Sequence, residues 1–428
     1  MLPSDALTQR KVFAFSYRLP GRVRTYTYVC AGSSPSPSWA RAWEWHVIIS
    51  EVFRQLGSPF FEEKQRHDAF ATAIAAPATI GHPGDDLPGG ENRPHATLRR
   101  QSRPGSSIPL DTHRERLQEG VSGAPEAVKE DGGAELVALA SVTGDNAIQY
   151  IPYPYNLEIV GVALAGDVTL GETLLGNLLY EATAYNSSRP LWGKACTSIV
   201  AEADNGTVYH GRNLDYSIAN YLRNMTITVD FQSSGKTLYT GTTFVGYVGV
   251  LTGQRPHAYT VSLDQRDKGE WWMNVLDALV GGTHAITGFL IRDTLGDASL
   301  SFSDAILRLA YQPLIAPCYL IVGGVKSNEG AVITRDRTGA LDIWRLEAFK
   351  ERWFLVETNY DHWGPPPPSD DRRDPAIKAM DETGRGNVSA PSLFHVLSLP
   401  PVLNNKTAFT VTMSASIPEL YSAWIRYP

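Results

Sequence analysis

Cysteine is scarce in this chain of 428 residues, in which only Cys30, Cys196 and Cys318 occur. Three cysteines exclude a dense disulfide framework and leave at least one thiol unpaired within the chain. Positive charge is not in excess either, since 38 Lys and Arg stand against 45 Asp and Glu, which gives a net charge of -7. The composition therefore predicts no nucleic-acid partner, and it leaves room for a reactive thiol.

Long apolar runs are also missing. The first residues, Met1–Tyr17, contain no apolar run of signal-peptide length, and no stretch reaches the roughly 20 apolar residues of a membrane span. Five acceptor triplets for N-glycosylation occur, at Asn186, Asn205, Asn224, Asn387 and Asn405. Such triplets suit a glycosylated secretory or lysosomal protein, whereas the missing signal suits the opposite, so the residues leave the compartment open.

Composition and periodicity divide the chain into four parts. They are an N-terminal region with one helical segment, a low-complexity insert, a second helical segment and a large C-terminal region, with bounds 1–58, 59–149, 150–195 and 196–428. The insert is rich in Pro, Gly, Arg and Ser and shows no apolar period, which predicts disorder. Helical periodicity covers Trp43–Leu56 before the insert and Leu170–Ala184 after it.

The C-terminal region is built from short β-type runs separated by turn residues. Nine runs predict strands: CTSIVAE, TVYHGRN, TITVDF, KTLYTGTTF, AYTVSLD, CYLIVGG, GAVITRDR, RWFLVETN and AFTVTMSA. Helical segments interrupt them at Trp271–Val280, Ile286–Leu295, Phe302–Ala310 and Pro391–Leu399, and Ser301 or Ser303 is the expected N-cap of the third. Strands, then helices, then strands again predict an α+β fold of stacked sheets covered by helices.

Cys196 begins a predicted hairpin. The run CTSIVAE is followed by turn residues at 204–206, and the returning strand ends in HGRNLDY. The turn brings Arg212 and Asp215 back beside Cys196, although 16 and 19 residues separate them in sequence. A guanidinium near the sulfur favours the thiolate, and a carboxylate can hold an amine. The alternative is that Arg212 and Asp215 form a surface ion pair.

No His–Asn pair of the papain type is evident near this cysteine, although ten histidines are available for a distant one, and a different base is possible. If the peptide bond between Ala195 and Cys196 is cleaved, an α-amine is released whose unperturbed pKa is roughly 7.7–8.0. Such an amine can accept the proton of its own thiol. The nucleophile and the base would then belong to one residue.

The region 196–428 resembles the N-acylethanolamine acid amidases and, less closely, the acid ceramidases, which are N-terminal-nucleophile cysteine hydrolases. The motifs that carry the resemblance are CTSIVAE, HGRNLDY, FVGYVGVLTGQRP, DQRDKG, YLIVGG, GAVITRDR, VETNYDHW and DDRR. The resemblance implies a four-layer αββα sandwich, self-cleavage before the cysteine and an α/β heterodimer made from one precursor. It also implies a small-molecule lipid amide as substrate, peripheral contact with a membrane, a lysosomal location and no cofactor or metal.

The roles known in that family fall on five positions of this chain. The resemblance makes Cys196 the nucleophile and base, and Arg212 and Asp215 the polar partners of the amine and the scissile group. It makes Asn359, in ETNYD, the donor to the oxyanion, and it adds Arg372, in DDRR, as a further arginine of the site. A side-chain amide aimed at a developing oxyanion suits that role chemically.

Two expected substrate-binding positions depart from the family pattern. Leu251 stands in VGVLTG where the relatives carry tryptophan, which predicts an altered acyl-chain preference. Gln265 stands in DQRDKG where the family has an acidic residue, and its amide can form hydrogen bonds but cannot ionise. The insert and the segment Asn186–Ala195 also lack counterparts in the family. Three interpretations stay open: hydrolysis of fatty-acid ethanolamides, hydrolysis of ceramide, or an uncut relative that binds lipid without catalysis.

Overall fold

The computed structural model describes residues 147–183, 196–233, 236–268 and 284–428, together with three strands nearer the N-terminus at 11–19, 22–30 and 96–99. The predicted helices Trp43–Leu56 and Trp271–Val280 lie outside the described residues. Most of the insert lies outside them as well, so its disorder stays a prediction.

Two antiparallel sheets form the centre of the structure. The strands are β1 (Lys11–Leu19), β2 (Arg22–Cys30), β3 (Ala96–Arg99), β4 (Thr197–Glu202), β5 (Val208–Asp215), β6 (Thr226–Ser233), β7 (Lys236–Phe244), β8 (Thr252–Arg255), β9 (Tyr259–Gln265), β10 (Cys318–Gly323), β11 (Gly330–Arg335), β12 (Ala340–Arg345), β13 (Phe354–Glu357), β14 (Thr407–Met413) and β15 (Ser422–Ile425). The larger sheet has the order β12-β11-β10-β9-β8-β7-β6-β3, and the smaller has the order β13-β4-β5-β14-β15. Strands β1 and β2 form a separate hairpin.

Helices cover the outer faces of both sheets. Those described are α1 (Tyr155–Gly166), α2 (Leu170–Asn177), α3 (Leu179–Thr183), α4 (Ala219–Met225), α5 (Thr287–Gly296), α6 (Phe302–Tyr311), α7 (Arg373–Thr383) and α8 (Ala390–Val396). Helices α5 and α6 pack on the larger sheet and α7 and α8 on the smaller, while β9 and β10 face β4 and β5. The order is therefore helix, sheet, sheet, helix, which confirms the predicted αββα sandwich.

Strand β4 shows how the layers are held together. Ile199 packs with Met380 and Leu393 under the helices of the smaller sheet. Its neighbour Val200 points the opposite way and packs with Ile321 between the two sheets. Because both faces of β4 are covered, all six of its residues are buried, and its apolar residues point to both faces.

All nine predicted runs form strands, and the three predicted C-terminal helices within the described residues form as well. Ser301 caps α6 as expected, since its side chain accepts a hydrogen bond from the Asp304 N–H. The single helix predicted over Leu170–Ala184 is wrong. The chain breaks at Leu178 between α2 and α3, where the Leu178 N–H is shared by the carbonyls of Leu174 and Leu175.

Helices α1 and α2 contact the helical layer of the larger sheet through apolar packing and a buried ion pair. Ile159 and Leu174 pack with Val248 and Phe289 in one buried cluster. Near it lies a buried ion pair in which the Arg292 guanidinium donates to the Glu158 carboxylate at 2.5 and 3.0 Å. Residues from about 147 to 181 are thus an integral part of the packed core.

Candidate active site

Cys196 immediately precedes β4, and its side chain is only 5 % exposed. The predicted hairpin is confirmed, because β4 and β5 are antiparallel neighbours with Ser198 opposite Arg212. The turn between them uses Gly206 at a φ of +80°, a backbone conformation that glycine adopts without steric cost. This register places the Nη2 atom of Arg212 3.4 Å from the Cys196 sulfur.

Arg212 is completely buried, which excludes the surface ion pair considered from the sequence. Its guanidinium donates to the Leu263 carbonyl at 2.6 Å and to the Thr252 hydroxyl. The carboxylate nearest to it belongs to Asp264, 3.8 Å from Nε, and not to Asp215. The guanidinium is therefore fixed in place by backbone and side-chain acceptors and cannot follow the sulfur if the sulfur moves.

The Cys196 thiol is neutral in the uncut chain. Burial raises its pKa, and the Arg212 guanidinium opposes that shift without overcoming it. The sulfur lies 3.8 Å from the backbone carbonyl of Asp215, to which the S–H donates. A base is consequently needed to create the nucleophile.

Asp215, at the end of β5, is also completely buried. Its Oδ2 atom accepts a hydrogen bond from the Asn404 amide at 3.0 Å, while Oδ1 has no hydrogen-bond partner among the described residues. Burial raises the pKa of this carboxyl to about 6, and the nearby Arg372 opposes the shift. One oxygen of this carboxyl is thus oriented by Asn404, while the other is buried beside the site.

Arg372 connects the nucleophile to the predicted oxyanion donor. It lies at the start of α7 and donates to the Cys196 carbonyl and, at 3.1 Å, to the Thr197 hydroxyl. Its second terminal nitrogen donates to the Thr358 carbonyl at 3.0 Å and to the Asn359 side-chain oxygen at 3.2 Å. One guanidinium therefore positions the backbone of Cys196 and the amide of Asn359 together.

Asn359 follows β13 with a φ of +75°, a left-handed conformation that asparagine tolerates better than most residues. One N–H of its amide donates to the Gln265 carbonyl at 2.8 Å. An amide carries two N–H groups, so a second donor exists for a substrate oxygen. The structure brings Asn359 to the site through Arg372 and Gln265.

Gln265, the last residue of β9, is 3 % exposed and lies beside Asn359. Its side-chain amide donates to the carboxylate of Asp267. The glutamine is therefore part of the hydrogen-bonded frame of the site, although it cannot titrate.

Leu251 lines an apolar cavity that is partly open to solvent. One wall comes from α2 and α3, including Gly176 and Tyr180, and another from the segment that carries Phe244 and Tyr247. Leu214 and Tyr216, the two neighbours of Asp215, also line it, and Cys196 packs in the same buried cluster as Leu251. The mostly apolar lining suits the acyl chain of a lipid.

A buried polar network behind Arg212 was not predicted from the sequence. The Ser198 hydroxyl donates to Asp264 at 2.9 Å and lies 3.0 Å from the Ser262 hydroxyl, which in turn lies 2.9 Å from the His210 ring. Burial raises the pKa of Asp264 to about 7 and lowers that of His210 to about 3, in the second case with help from Arg212. His210 is thus neutral, and a ring with so low a pKa is a weak base.

A second buried carboxyl adjoins this network. Glu357, in β13, accepts the backbone N–H groups of Thr358 and Asn359 at 3.0 and 3.1 Å. Burial raises its pKa well above the ordinary value, and the charge of Asp264 adds to the shift. The only sequence signal for these residues is a polar side chain at every second position of a buried strand, as in Thr260, Ser262 and Asp264.

Comparison with known proteins places this geometry in a family. Residues 196–392 match the linear amide C–N hydrolases of the choloylglycine hydrolase family, and the match begins at Cys196. The N-acylethanolamine-hydrolyzing acid amidase of Oryctolagus cuniculus is 50 % identical over 311 residues, which cover 69 % of this chain and 84 % of that protein. The chain belongs to the N-acylethanolamine-hydrolyzing acid amidase family. The chain is therefore an amidase.

The chain is also similar to an acid ceramidase and to a protein of solved structure. The acid ceramidase of Bos taurus is 38 % identical over 282 residues, covering 62 % of this chain and 68 % of that protein. A solved structure of the Caenorhabditis elegans ortholog of N-acylethanolamine-hydrolyzing acid amidase aligns with a TM-score of 0.49 at 40 % identity, covering 54 % of this chain and all of that one. The acid ceramidases are thus the more distant relatives in sequence.

The described residues contain neither a cluster suited to a metal ion nor a helix suited to cross a membrane. No group of three or more His, Cys, Asp or Glu side chains in that part of the chain could hold a metal ion. Within the same residues, no helix is both long and apolar enough to cross a membrane.

Proposed function

We propose that this amidase hydrolyses fatty-acid amides of ethanolamine to a fatty acid and ethanolamine, through an acyl thioester on Cys196. The observation that carries the proposal is the position of the Cys196 thiol. It lies 3.4 Å from a fixed guanidinium and packs in the buried cluster that also lines the apolar cavity. The higher identity to the acid amidases than to the acid ceramidases favours an ethanolamide over a ceramide.

Activation begins with cleavage of the Ala195–Cys196 peptide bond, of which Ala195 lies outside the described residues. The sulfur attacks the Ala195 carbonyl carbon, the C–N bond breaks, and a thioester forms as the proton passes to the new amine. Water then hydrolyses the thioester, which leaves a carboxylate on Ala195 and a free α-amine on Cys196. Support comes from the two arginines, since Arg372 holds the Cys196 carbonyl and Arg212 lies against its sulfur.

In the processed enzyme the freed amine accepts the thiol proton, and the sulfur attacks the carbonyl carbon of the substrate amide. The second N–H of Asn359 donates to the oxyanion that forms. The amine of Cys196 then returns the proton to the substrate nitrogen, the C–N bond breaks and ethanolamine leaves. Arg212 and the Oδ1 atom of Asp215 hold the polar end of the substrate. Water then hydrolyses the thioester and releases the fatty acid.

Two measurements test this proposal. Mass spectrometry of the protein held at acidic pH should reveal a fragment that begins at Cys196, and Cys196→Ala should abolish both this cleavage and hydrolysis. The processed wild type should turn over palmitoylethanolamide faster than a short-chain ceramide. Faster turnover of the ceramide would contradict the assignment of an ethanolamide as the substrate. An intact wild-type chain without activity would instead favour an uncut lipid-binding protein.

We further propose that the two products of cleavage stay together as an α/β heterodimer. The buried Glu158–Arg292 ion pair supports this, because separating the fragments would leave each charge buried and unpaired or exposed at a cost. The apolar contact of Ile159 and Leu174 with Phe289 adds to it. Co-elution of both fragments on size exclusion after cleavage is the test.

We also propose that the protein is glycosylated and that it is located in the lysosome. Four of the predicted acceptors are exposed, which attachment of a glycan requires: Asn205, Asn224, Asn387 and Asn405. Asn186 lies outside the described residues. Treatment with an endoglycosidase should lower the apparent mass of protein secreted from, or retained in, a eukaryotic host.

Peripheral contact with a membrane is also proposed, through the N-terminal helical segment. Leu164 of α1 is 75 % exposed, and Tyr153 just before this helix is 53 % exposed. Apolar side chains exposed in this way can insert at the interface of a bilayer. Replacement of Leu164 by Gln should reduce co-sedimentation with phosphatidylserine vesicles.

A further inference from the structure

Asn177, at the end of α2, holds a loop of the catalytic region by both sides of its amide. Its Nδ2 atom donates to the Gly246 carbonyl at 2.9 Å, and its Oδ1 atom accepts the Val248 N–H at 2.8 Å. The other N–H of the amide donates to the Thr173 carbonyl at 2.9 Å within its own helix. All donors of this side chain are therefore used, and the residue is 1 % exposed.

The loop held by Asn177 forms one wall of the cavity. Phe244, Gly246, Tyr247 and Leu251 all line it. Because Asn177 binds Gly246 and Val248, it fixes the backbone on both sides of Tyr247. The position of the Tyr247 ring relative to the cavity is thus set from α2.

Two glycines show how closely the Tyr247 ring is seated. A Cβ atom built on Gly288 would lie 2.0 Å from the Tyr247 hydroxyl oxygen, and one built on Gly249 would lie 2.6 Å from it. The ring occupies a slot that exists only because both positions lack a side chain. The loop therefore has one well-defined arrangement, and displacement of its backbone would move the ring out of this slot.

Gly176, the residue before Asn177, is different. It lines the cavity, and a Cβ atom built on it would meet no atom within 4 Å. The absence of a side chain here leaves space in the cavity itself and is not required by close packing. A methyl group at this position would therefore enter that space without a clash.

We propose that Gly176 and Asn177 determine which acyl chains the enzyme accepts. Gly176 leaves the volume that a long chain occupies, and Asn177 positions the loop that closes this volume. This inference rests on the proposed function, because it takes the cavity to be the acyl site. Asn177 is a positioning residue, since it acts through the loop.

The first experiment is Gly176→Leu, assayed on ethanolamides of 16-carbon and 8-carbon acyl chains. The added side chain should lower kcat/KM for the long substrate at least about tenfold relative to the short one, since it displaces several buried methylene groups of the chain. Gly176→Ala should give a smaller change in the same direction. An unchanged ratio for Gly176→Leu would overturn the role of Gly176.

The second experiment is Asn177→Asp, which keeps the size of the side chain but replaces the Nδ2 donor with an oxygen that faces the Gly246 carbonyl. KM for the long substrate should rise about tenfold while kcat for the short substrate changes little, because the hydrogen bonds to the Gly246 and Thr173 carbonyls are both lost and become repulsions. Gln254→Glu is the matched control. Gln254 is 1 % exposed and likewise donates to a backbone carbonyl, that of Pro418, and accepts a backbone N–H, that of Ser414.

The control variant should lose a similar amount of thermal stability and leave the chain-length ratio unchanged. Equal shifts of that ratio in both variants would mean that Asn177 is only a structural residue. Binding of palmitate and octanoate to the uncut Cys196→Ala chain provides a readout independent of hydrolysis. If the wild type hydrolyses no ethanolamide, but Gly176→Leu still weakens binding of palmitate more than of octanoate, the proposed function fails and the inference about the cavity stands; equal weakening of both ligands would overturn the inference as well.

Discussion

The Nη2 atom of Arg212 donates to the sulfur of Cys196 at 3.4 Å. The same guanidinium has its Nε atom 3.8 Å from the Asp264 carboxylate, and both residues are buried. One cation thus acts on two acidic groups that differ in chemistry. Since the charge of Asp264 raises the pKa of the Cys196 thiol, the protonation of Asp264 controls how strongly Arg212 favours the thiolate.

Asp264→Asn should therefore lower the pKa of the Cys196 thiol. The variant keeps an oxygen that can accept the Ser198 hydroxyl but removes the competing negative charge, which should lower the pKa of the thiol. The measurement is the rate of alkylation of Cys196 by iodoacetamide as a function of pH, followed by mass spectrometry. Asp304→Asn, which alters only the cap of α6, is the control and should leave the midpoint unchanged. A midpoint that does not move in Asp264→Asn would show that Asp264 does not influence the sulfur.

The uncut protein should be more stable in acid than at neutral pH. Burial raises the pKa of Asp215 to about 6 and that of Asp264 to about 7, from an ordinary value of 3.8. Between pH about 4 and 7 the folded state therefore binds more protons than the unfolded state. The stabilisation by these two carboxyl groups is complete below pH about 4 and is lost as pH rises through 6 to 7. Urea unfolding of Cys196→Ala at pH 4.5 and pH 8 should differ by on the order of 1–3 kcal/mol, less than the two carboxyl groups alone would give, because the low pKa of His210, about 3, acts in the opposite direction. Adding Asp264→Asn should flatten this dependence, and a dependence as steep as before would contradict the assignment.

The sequence could predict the hairpin at Cys196 because its information is local. A turn at Asn205 and Gly206 between two apolar runs leaves one register, and that register places Arg212 beside the cysteine. It could not predict Asp264. In β9 the residues Val261 and Leu263 pack toward α5, whereas Ser262 and Asp264 face the second sheet, so the polar side of the strand lies inside the sandwich rather than in water.

Helix α1 was missed for a related reason. The segment YNLEIVGVALAG is apolar around its whole circumference, so no amphipathic period marks it. Its only charged residue, Glu158, is buried because it pairs with Arg292, which lies 134 positions later in the sequence. Pairings of this kind are set by tertiary structure and leave no local signal.

Asn359→Asp should lower kcat by about 10²–10³-fold, because a carboxylate oxygen replaces the amide N–H groups and cannot donate to the oxyanion. Steady-state kinetics on palmitoylethanolamide measure this, with a smaller change expected in KM. Asn328→Asp is the matched control, since Asn328 also has a left-handed backbone, with a φ of 62°, and its amide likewise donates and accepts, to the Ser327 hydroxyl at 3.1 Å and from the Ala348 N–H. Equal losses of kcat in the two variants would assign the effect to backbone conformation.

Gln265→Glu should make the amidase newly dependent on acid. The Gln265 amide donates to the Asp267 carboxylate, and a carboxyl group at this position can donate the same bond only while it is protonated. Asp267 would raise the pKa of the introduced group by repulsion between like charges, so the bond should persist in acid and be lost toward neutral pH.

Loss of that bond would also disturb the Gln265 carbonyl, which accepts the Asn359 amide at 2.8 Å. The ratio of variant to wild-type activity should therefore be close to one below pH about 5 and fall several-fold at pH 7, as measured by hydrolysis and by the rate of self-cleavage. Gln254→Glu introduces the same change in charge at another buried amide and should not reproduce this pH-dependent ratio. A ratio for Gln265→Glu that is constant with pH would mean that the Asp267 contact has no part in holding Asn359. In that case the glutamine is a neutral replacement for the acidic residue of the relatives.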